Sequence, residues 1–168
     1  WTLNLSVPRA VFSEAGGFDE RLKFACYEDL EFTYRVCVGA EGTRAVVRYA
    51  PEAIVFHDHR IGPEDYLRRE AMMGRAAWAF AAAAPECARA VFGRDIRSGD
   101  EVEYSRQFVA REGAMVERIR RSFDEWASMA AGSVSGAQEK ELLRMLYEHH
   151  LPLKRWTWRK ALVEAGGG

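Results

Sequence analysis

The stretch from Gly16 to Arg35 constrains the fold of this chain more than any other part of the sequence. It begins with two glycines, which permit the left-handed backbone of a tight turn, and it continues into an amphipathic helix. Glu28, Asp29 and Glu31 crowd the first turn of that helix, where the helix dipole favours ionised carboxylates. An ionised carboxylate on a rigid element can serve as a general base. The same residues also fit an ordinary helix start, in which Glu31 pairs with Arg35.

The sequence on both sides predicts short strands that alternate with helices, a pattern typical of an α/β layer. Strands are predicted at 1–7, 43–49 and 53–57, and helices at 8–15 and 28–38. In the second helix, Leu30, Tyr34 and Cys37 have the spacing of a stripe that faces the core.

Several motifs in this region resemble, in order and spacing, the C-terminal half of the catalytic domain of family 2 glycosyltransferases, which has the GT-A fold. The motifs are Asn4–Arg9 (NLSVPR), Gly16–Glu20 (GGFDE), Tyr27–Glu31 (YEDLE) followed by Arg35, and a strand that ends in His57. The resemblance implies an α/β fold class, with a partial GT-A (Rossmann-like) half of short strands, followed by a mainly α-helical extension.

The resemblance also implies a hexosyltransferase-type enzyme that moves a sugar from a nucleotide-diphosphate sugar to an acceptor hydroxyl, with inversion at the anomeric carbon. Asp29 corresponds to the base that removes the acceptor proton, with Glu28 beside it. Asp19, Glu20 and Glu31 would bind the acceptor, a glycan or lipid-linked glycan of the kind used for cell-envelope polysaccharide. Asp19 fits a turn cap equally well. The family's Asp-x-Asp nucleotide motif is absent from these residues, so we expect a fragment that is inactive alone.

A divalent cation, Mn²⁺ or Mg²⁺, is the cofactor that the resemblance implies, with His57 as a ligand and the departing diphosphate as the group it neutralises. His57, Asp58 and His59 follow an apolar stretch, and neutral imidazole is a common ligand for divalent ions. His59 is the alternative ligand. The tripeptide alone would also fit a small metal hydrolase.

Pro63 is predicted to open a long helix. Arg68 and Arg69 lie on it and are candidate ligands of the diphosphate, because guanidinium groups match phosphate oxygens, although a solvated helix face also explains them. Gly74, within the apolar stripe of this helix, indicates close packing against a neighbour. The predicted organisation is an acceptor-side half at 1–62, a helix packing on that half at 63–97 and a helical extension at 98–168.

The C-terminal extension is predicted to contain helices at 100–131, with a break considered at Gly113, and at 138–150. Apolar residues recur every seven positions along the first of them, at Val102, Val109, Val116 and Phe123. Because Ser105 and Glu112 interrupt the seam, packing on the body is favoured over a dimeric coiled coil. The tail from Leu151 to Val163 places two tryptophans among Lys and Arg. That composition fits a peripheral membrane contact and, equally, a helix laid over a core with its basic stems extended. A homo-oligomer is a further expectation.

Charge and composition exclude some classes of function. The 24 basic residues nearly balance the 25 acidic ones, which gives no drive toward nucleic acid. Three cysteines without zinc spacing and no continuous apolar span indicate a cytoplasmic protein, at the inner face of the membrane if the tail binds lipid. The second hypothesis is a non-catalytic binding or scaffolding module that retains half of the fold and recruits a partner through its helices.

Overall fold

The computed structural model describes residues 4–24, 26–38, 45–56, 61–130 and 136–167. The regular elements in these ranges are α-helices: α1 (Arg9–Glu14), α2 (Glu28–Val38), α3 (Pro63–Ala83), α4 (Pro85–Phe92), α5 (Gly99–Ala130) and α6 (Ala137–Gly166). The chain divides into two compact units. Unit 1 contains Trp1–Arg60 and Ala76–Ile96, and unit 2 contains Ile61–Arg75 and Arg97–Gly168. Helix α3 therefore begins in unit 2 and ends in unit 1.

The predicted α/β fold class is wrong, because no β-strand forms in the described part of the chain. Residues 45–56, which include most of two predicted strands, have no regular structure, and Phe56 is 97% exposed. The β-branched and aromatic residues here provide strand propensity, but a strand is stable only when a neighbour pairs with its backbone and its apolar face is buried. Residues 4–7 form no strand either; Asn4 Nδ2 instead donates to the Ala53 carbonyl at 2.6 Å.

The helix predictions were more successful than the strand predictions. Helix α2 spans the predicted residues 28–38, and α3 begins at Pro63 as predicted. The buried face of α2 differs from the prediction, however, because Leu30 is exposed whereas Glu31 and Phe32 are buried. Helix α5 continues through Gly113 without the break that was considered.

Helix α6 continues beyond the predicted end at His150 and takes in most of the tail that was treated separately. Pro152 lies inside it, although proline removes a backbone donor and usually interrupts a helix. The buried side chains of Leu153 and Leu162 explain why the helix persists, because each buried leucine contributes about 1.5–3 kcal/mol.

Helices α5 and α6 form an antiparallel pair that builds the core of unit 2. Leu67 of α3 packs there with Val116 and Phe123 of α5 and Leu153 of α6. Trp156 packs against this cluster, and its Nε1 donates a hydrogen bond to the Val109 carbonyl at 3.0 Å. The predicted seven-residue repeat is confirmed at Val116 and Phe123, which are both buried.

A polar cluster lies where the start of α5 meets the last part of α6. Arg159 Nη1 donates to Glu101 Oε1 at 2.8 Å and to Ser105 Oγ at 2.6 Å, and its guanidinium group lies 4.7 Å from the ring centroid of Tyr104. Ser105 is fully buried, so its hydroxyl needs a partner inside the protein. The residue that interrupts the apolar repeat is therefore satisfied by a cation from the facing helix.

The first half of α3 packs against α6 through three contacts that advance in the same direction along both helices. Tyr66 meets His150 edge-on, the Glu70 carboxylate lies 3.7 Å from Lys154 Nζ, and Gly74 approaches the backbone of Trp158. A methyl group at Gly74 would lie less than 3.0 Å from the Trp158 carbonyl oxygen. The close packing predicted at Gly74 is thus confirmed.

Candidate functional site

A pocket of about 570 Å³ lies in unit 1, between the segment before α1, the turn after α1 and the start of α2. Its lining residues are apolar except for three with carboxylates. The lining residues are Leu5, Val7, Phe12, Phe18, Asp19, Glu20, Leu22, Glu28 and Phe32. An apolar pocket with a few convergent polar groups is the usual form of a small-molecule site.

Three phenylalanines make the apolar wall. Phe18 lies 5.8 Å from Phe12 and 5.0 Å from Phe32, measured between ring centroids, and Phe12 lies 5.5 Å from Phe32. Gly17 contributes to this arrangement, because its positive φ of 74° lets the chain turn back over the Phe12 ring. The aromatic faces at the pocket are therefore held by the diglycine turn.

Arg35 fixes that turn to helix α2. Its guanidinium group donates to both carboxylate oxygens of Glu31 at 2.7 Å, to the Gly17 carbonyl at 2.8 Å and to the Ala15 carbonyl. These hydrogen bonds to the Glu31 carboxylate raise the pKa of Arg35. Glu31 and Arg35 thus form the helix pair expected from their spacing, and the pair also anchors the turn that carries Phe18 and Asp19.

Tyr27, directly before α2, has a left-handed backbone conformation. Tyr27 has a φ of 71°, a conformation that costs a residue with a side chain about 1–2 kcal/mol. Its buried ring stacks parallel to Phe80 at 5.1 Å and meets Phe92 edge-on, which offsets that cost. The strained residue stands directly before Glu28 and Asp29, at the start of α2.

The three carboxylates of the pocket have different surroundings. Asp19 is held by Arg21, whose Nη2 lies 2.6 Å from Oδ2, and this hydrogen bond lowers the pKa of Asp19. Glu20 is exposed. Glu28 Oε2 is buried, and no hydrogen-bond partner for it is found within the described residues. A buried carboxylate oxygen normally accepts hydrogen bonds, so Glu28 is the carboxylate of this pocket with an unsatisfied acceptor among the described residues.

The structure thus brings together Asp19, Glu20 and Glu28 among the residues selected from the sequence. Asp29 is adjacent to Glu28 but does not line the pocket, and its Oδ1 accepts a hydrogen bond from the Leu30 amide at 2.8 Å. Glu31 is buried against Arg35, also outside the pocket wall.

The remaining selected residues lie elsewhere. Arg68 and Arg69 belong to unit 2, where Arg68 pairs with Asp65. His57 and the alternative ligand His59 lie outside the described residues. No group of three or more metal-ligating side chains occurs in the part of the chain that was described, so the divalent cation stays a prediction.

Sequence reasoning missed the roles of Tyr27 and Arg21. A positive φ is usually signalled by Gly or Asn, and nothing in the sequence marks a tyrosine for it. The Arg21 amide donates to Asp19 Oδ1 at 3.0 Å, which is the turn-cap role considered for Asp19, but the sequence did not indicate the pairing of the Arg21 guanidinium group with the same carboxylate. The Phe12–Phe18–Phe32 wall joins α1, the turn and α2, and no local sequence pattern signals it.

None of the helices described here is sufficiently long and apolar to cross a membrane. Trp156 of the predicted membrane-contact segment packs inward on the core of unit 2, and membrane contact by Leu151 to Val163 stays a prediction.

No protein-family model, curated protein or solved structure was found to match this chain. The expected resemblance to half of a family 2, GT-A glycosyltransferase domain is therefore wrong, since neither a matching family nor the strands of such a half are found in the described residues.

Proposed function

We propose that unit 1 binds a hydroxyl-bearing acceptor of the glycan class, and that the chain acts in the transfer of a sugar from a nucleotide-diphosphate sugar to that acceptor. The observation that carries this proposal is Glu28, which lines a phenylalanine-walled pocket and whose buried Oε2 lacks a donor among the described groups. A sugar offers hydroxyl donors to such a carboxylate and apolar C–H faces to aromatic rings.

The charge at the pocket supports a neutral, donor-rich ligand. Asp19 and Glu28 accept hydrogen bonds when ionised, and the pKa of Asp19 is lowered by Arg21. An anionic ligand would be repelled by these carboxylates, so the acceptor rather than the nucleotide diphosphate suits this pocket.

Asp29 is the proposed general base of the transfer. It stands one residue beyond Glu28 in the first turn of α2. It would take the proton of the acceptor hydroxyl as the new glycosidic bond forms and the nucleotide diphosphate leaves. His57 with Mn²⁺ or Mg²⁺ is the proposed stabiliser of that leaving group.

Saturation-transfer NMR with neutral mono- and oligosaccharides tests the binding step. We expect signals from the intact chain, and we expect Glu28→Gln to weaken affinity about tenfold, because hydrogen bonds to a charged acceptor exceed neutral ones. Asp29→Asn should retain binding but lower any measurable transfer roughly a hundredfold. The matched control is Glu14→Gln, an exposed carboxylate on α1 outside the pocket. Equal affinities for Glu28→Gln and Glu14→Gln, or no saccharide binding at all, would refute the acceptor site.

A binding or scaffolding module is the second candidate, and the architecture of unit 2 favours it. The antiparallel pair of α5 (32 residues) and α6 (30 residues) is a long helical surface separate in sequence from the pocket. This candidate predicts partner recruitment that is unaffected by Glu28→Gln and Asp29→Asn.

A further inference from the structure

Helix α6 carries an apolar stripe that is not covered by the rest of the chain as described. Leu143, Tyr147 and Leu151 follow each other at intervals of four residues and are 53%, 67% and 45% exposed. The opposite face of the same helix carries the buried Leu142 and Leu153. The hydrophobic core of unit 2 therefore does not explain why large apolar side chains occupy the outer stripe.

Opposite charges stand at the two ends of the stripe. Continuing the four-residue interval reaches Glu139 in one direction and Arg155 in the other, and both are exposed. Neither makes an ion pair with another described residue. Arg144, beside the stripe, is already neutralised by its own Glu141, at 2.6 Å. The five stripe residues, which we call the α6 stripe, are Glu139, Leu143, Tyr147, Leu151 and Arg155.

The order of these residues is self-complementary when the sequence direction is reversed. In a two-fold interface, if one residue contacts a second, the second contacts the first in return. An antiparallel pair of α6 stripes with Tyr147 at the axis places Leu143 against Leu151 of the second copy. The same symmetry places Glu139 near Arg155 of the second copy, twice per dimer.

Helix packing geometry permits this pairing. Residues four apart form a ridge inclined to the helix axis, and pairing two such ridges gives the commonest crossing angle, about 50° in magnitude. Away from the crossing point the two ridges diverge, and short side chains there lose contact with the second helix. Glu and Arg have the length needed to reach across at the ends, whereas the apolar residues lie nearest the crossing.

We propose that the α6 stripe is a homodimer interface in which two copies of this chain pack antiparallel through α6. The patch is small, so the dimer is of the transient class rather than an obligate one, with a Kd of roughly 10–100 µM. This inference does not depend on the proposed sugar-transfer function, because the stripe belongs to unit 2 and the pocket to unit 1.

Sedimentation velocity of the full chain over about 1 µM to 1 mM, a range that brackets that Kd, tests the proposal. We expect a monomer–dimer equilibrium. Tyr147→Arg should weaken it by more than tenfold, because it places two like charges at the two-fold axis. Glu139→Arg or Arg155→Glu alone should each weaken it about tenfold, since two attractive pairs become repulsive. The double variant Glu139→Arg with Arg155→Glu should restore wild-type association.

Rescue by the double variant separates pairing from local effects on the helix. Glu139 lies in the first turn of α6, where the helix dipole favours an acid, and the double variant retains the unfavourable charge there. Arg118→Glu, an exposed reversal on α5, is the matched control and should leave association unchanged. A chain that is monomeric throughout this range, or a dimer indifferent to Tyr147→Arg, would overturn the proposal. A double variant no better than the single ones would overturn the antiparallel register.

Discussion

At the scale of single residues, Glu70 is a buried carboxylate with incomplete compensation. Lys154 Nζ lies 3.7 Å from its Oε1, while its Oε2 has no hydrogen-bond partner in the described structure. Burial raises the pKa of Glu70, and the nearby charges of Lys154, Arg69 and His150 only partly oppose this. The same desolvation, together with the charge of Glu70, raises the pKa of Tyr66 to about 12. The ionised carboxylate is therefore a destabilising feature of unit 2 at neutral pH.

Removing this charge should stabilise the protein. The pKa of Glu70 is higher in the folded state than in the unfolded chain. The stability that the protonated Glu70 side chain contributes is therefore complete below the unfolded pKa, and it is lost as pH rises through the folded pKa. We expect Glu70→Gln to raise the free energy of unfolding at pH 7 by roughly 1 kcal/mol, an advantage that disappears toward pH 4.5. Lys154 is 46% exposed and returns to water without penalty.

Chemical denaturation between pH 4.5 and 8 measures this effect. Glu125→Gln, an exposed carboxylate on α5, is the control and should change neither the stability nor its pH dependence. A Glu70→Gln variant less stable than wild type at pH 7 would mean that the pair with Lys154 outweighs the cost of burial.

At the scale of elements, two glycines inside helices differ in what surrounds them. An added methyl group at Gly74 would collide with the Trp158 carbonyl, whereas at Gly113 its nearest neighbour is a Trp156 ring atom at 3.9 Å. We expect Gly74→Ala to destabilise the protein by about 1–3 kcal/mol through overpacking. Gly113→Ala should stabilise it by roughly 1 kcal/mol through helix propensity. Thermal unfolding of the two variants, measured side by side, shows whether each substitution raises or lowers the melting temperature. A change in the same direction for both variants would contradict the packing described at Gly74.

The helices could be predicted from the sequence because their signals are local. The start at Pro63 and the bounds of α2 follow from residues within one or two turns. The continuation of α6 past Pro152 could not be predicted, because it depends on burial of Leu153 and Leu162 in a core built by distant residues.

The strands failed for a related reason. Val46, Val47 and Tyr49 have the composition of a strand, but a strand exists only with a pairing partner, which sequence composition does not provide. In the candidate site, Asp19, Glu20 and Glu28, three of the carboxylates selected from the sequence, line the same pocket, because the turn and the helix that carry them are close in sequence. The positive φ of Tyr27 depends on Phe80 and Phe92, which are remote in sequence, and was not foreseeable.

At the scale of the whole molecule, protection of the backbone is unevenly distributed. The amides from Val46 to Tyr49 make no backbone hydrogen bond within the described chain, whereas those of Val116 and Leu153 lie inside helices whose side chains are buried. Amides in such helices open only with most of the fold, while unpaired ones exchange almost freely.

Hydrogen–deuterium exchange with mass spectrometry should therefore give a sharp contrast. We expect peptides covering 46–49 to exchange within seconds and peptides around Val116 and Leu153 to exchange at least about a thousandfold more slowly. Slow exchange at 46–49 would indicate that this segment has a pairing partner in solution.

The stepwise contacts between α3 and α6 also limit how such a chain can change in length during evolution. Tyr66, Glu70 and Gly74 advance by four residues, as do His150, Lys154 and Trp158 that face them. A substitution in this seam alters one contact. A single residue inserted into α6 between His150 and Trp158 instead turns everything beyond it by about 100° and moves it about 1.5 Å along the axis. The carbonyl facing Gly74 would then belong to another residue, and Gly74 would lose the close contact that it permits. This seam therefore tolerates exchanges of side chains far better than insertions or deletions.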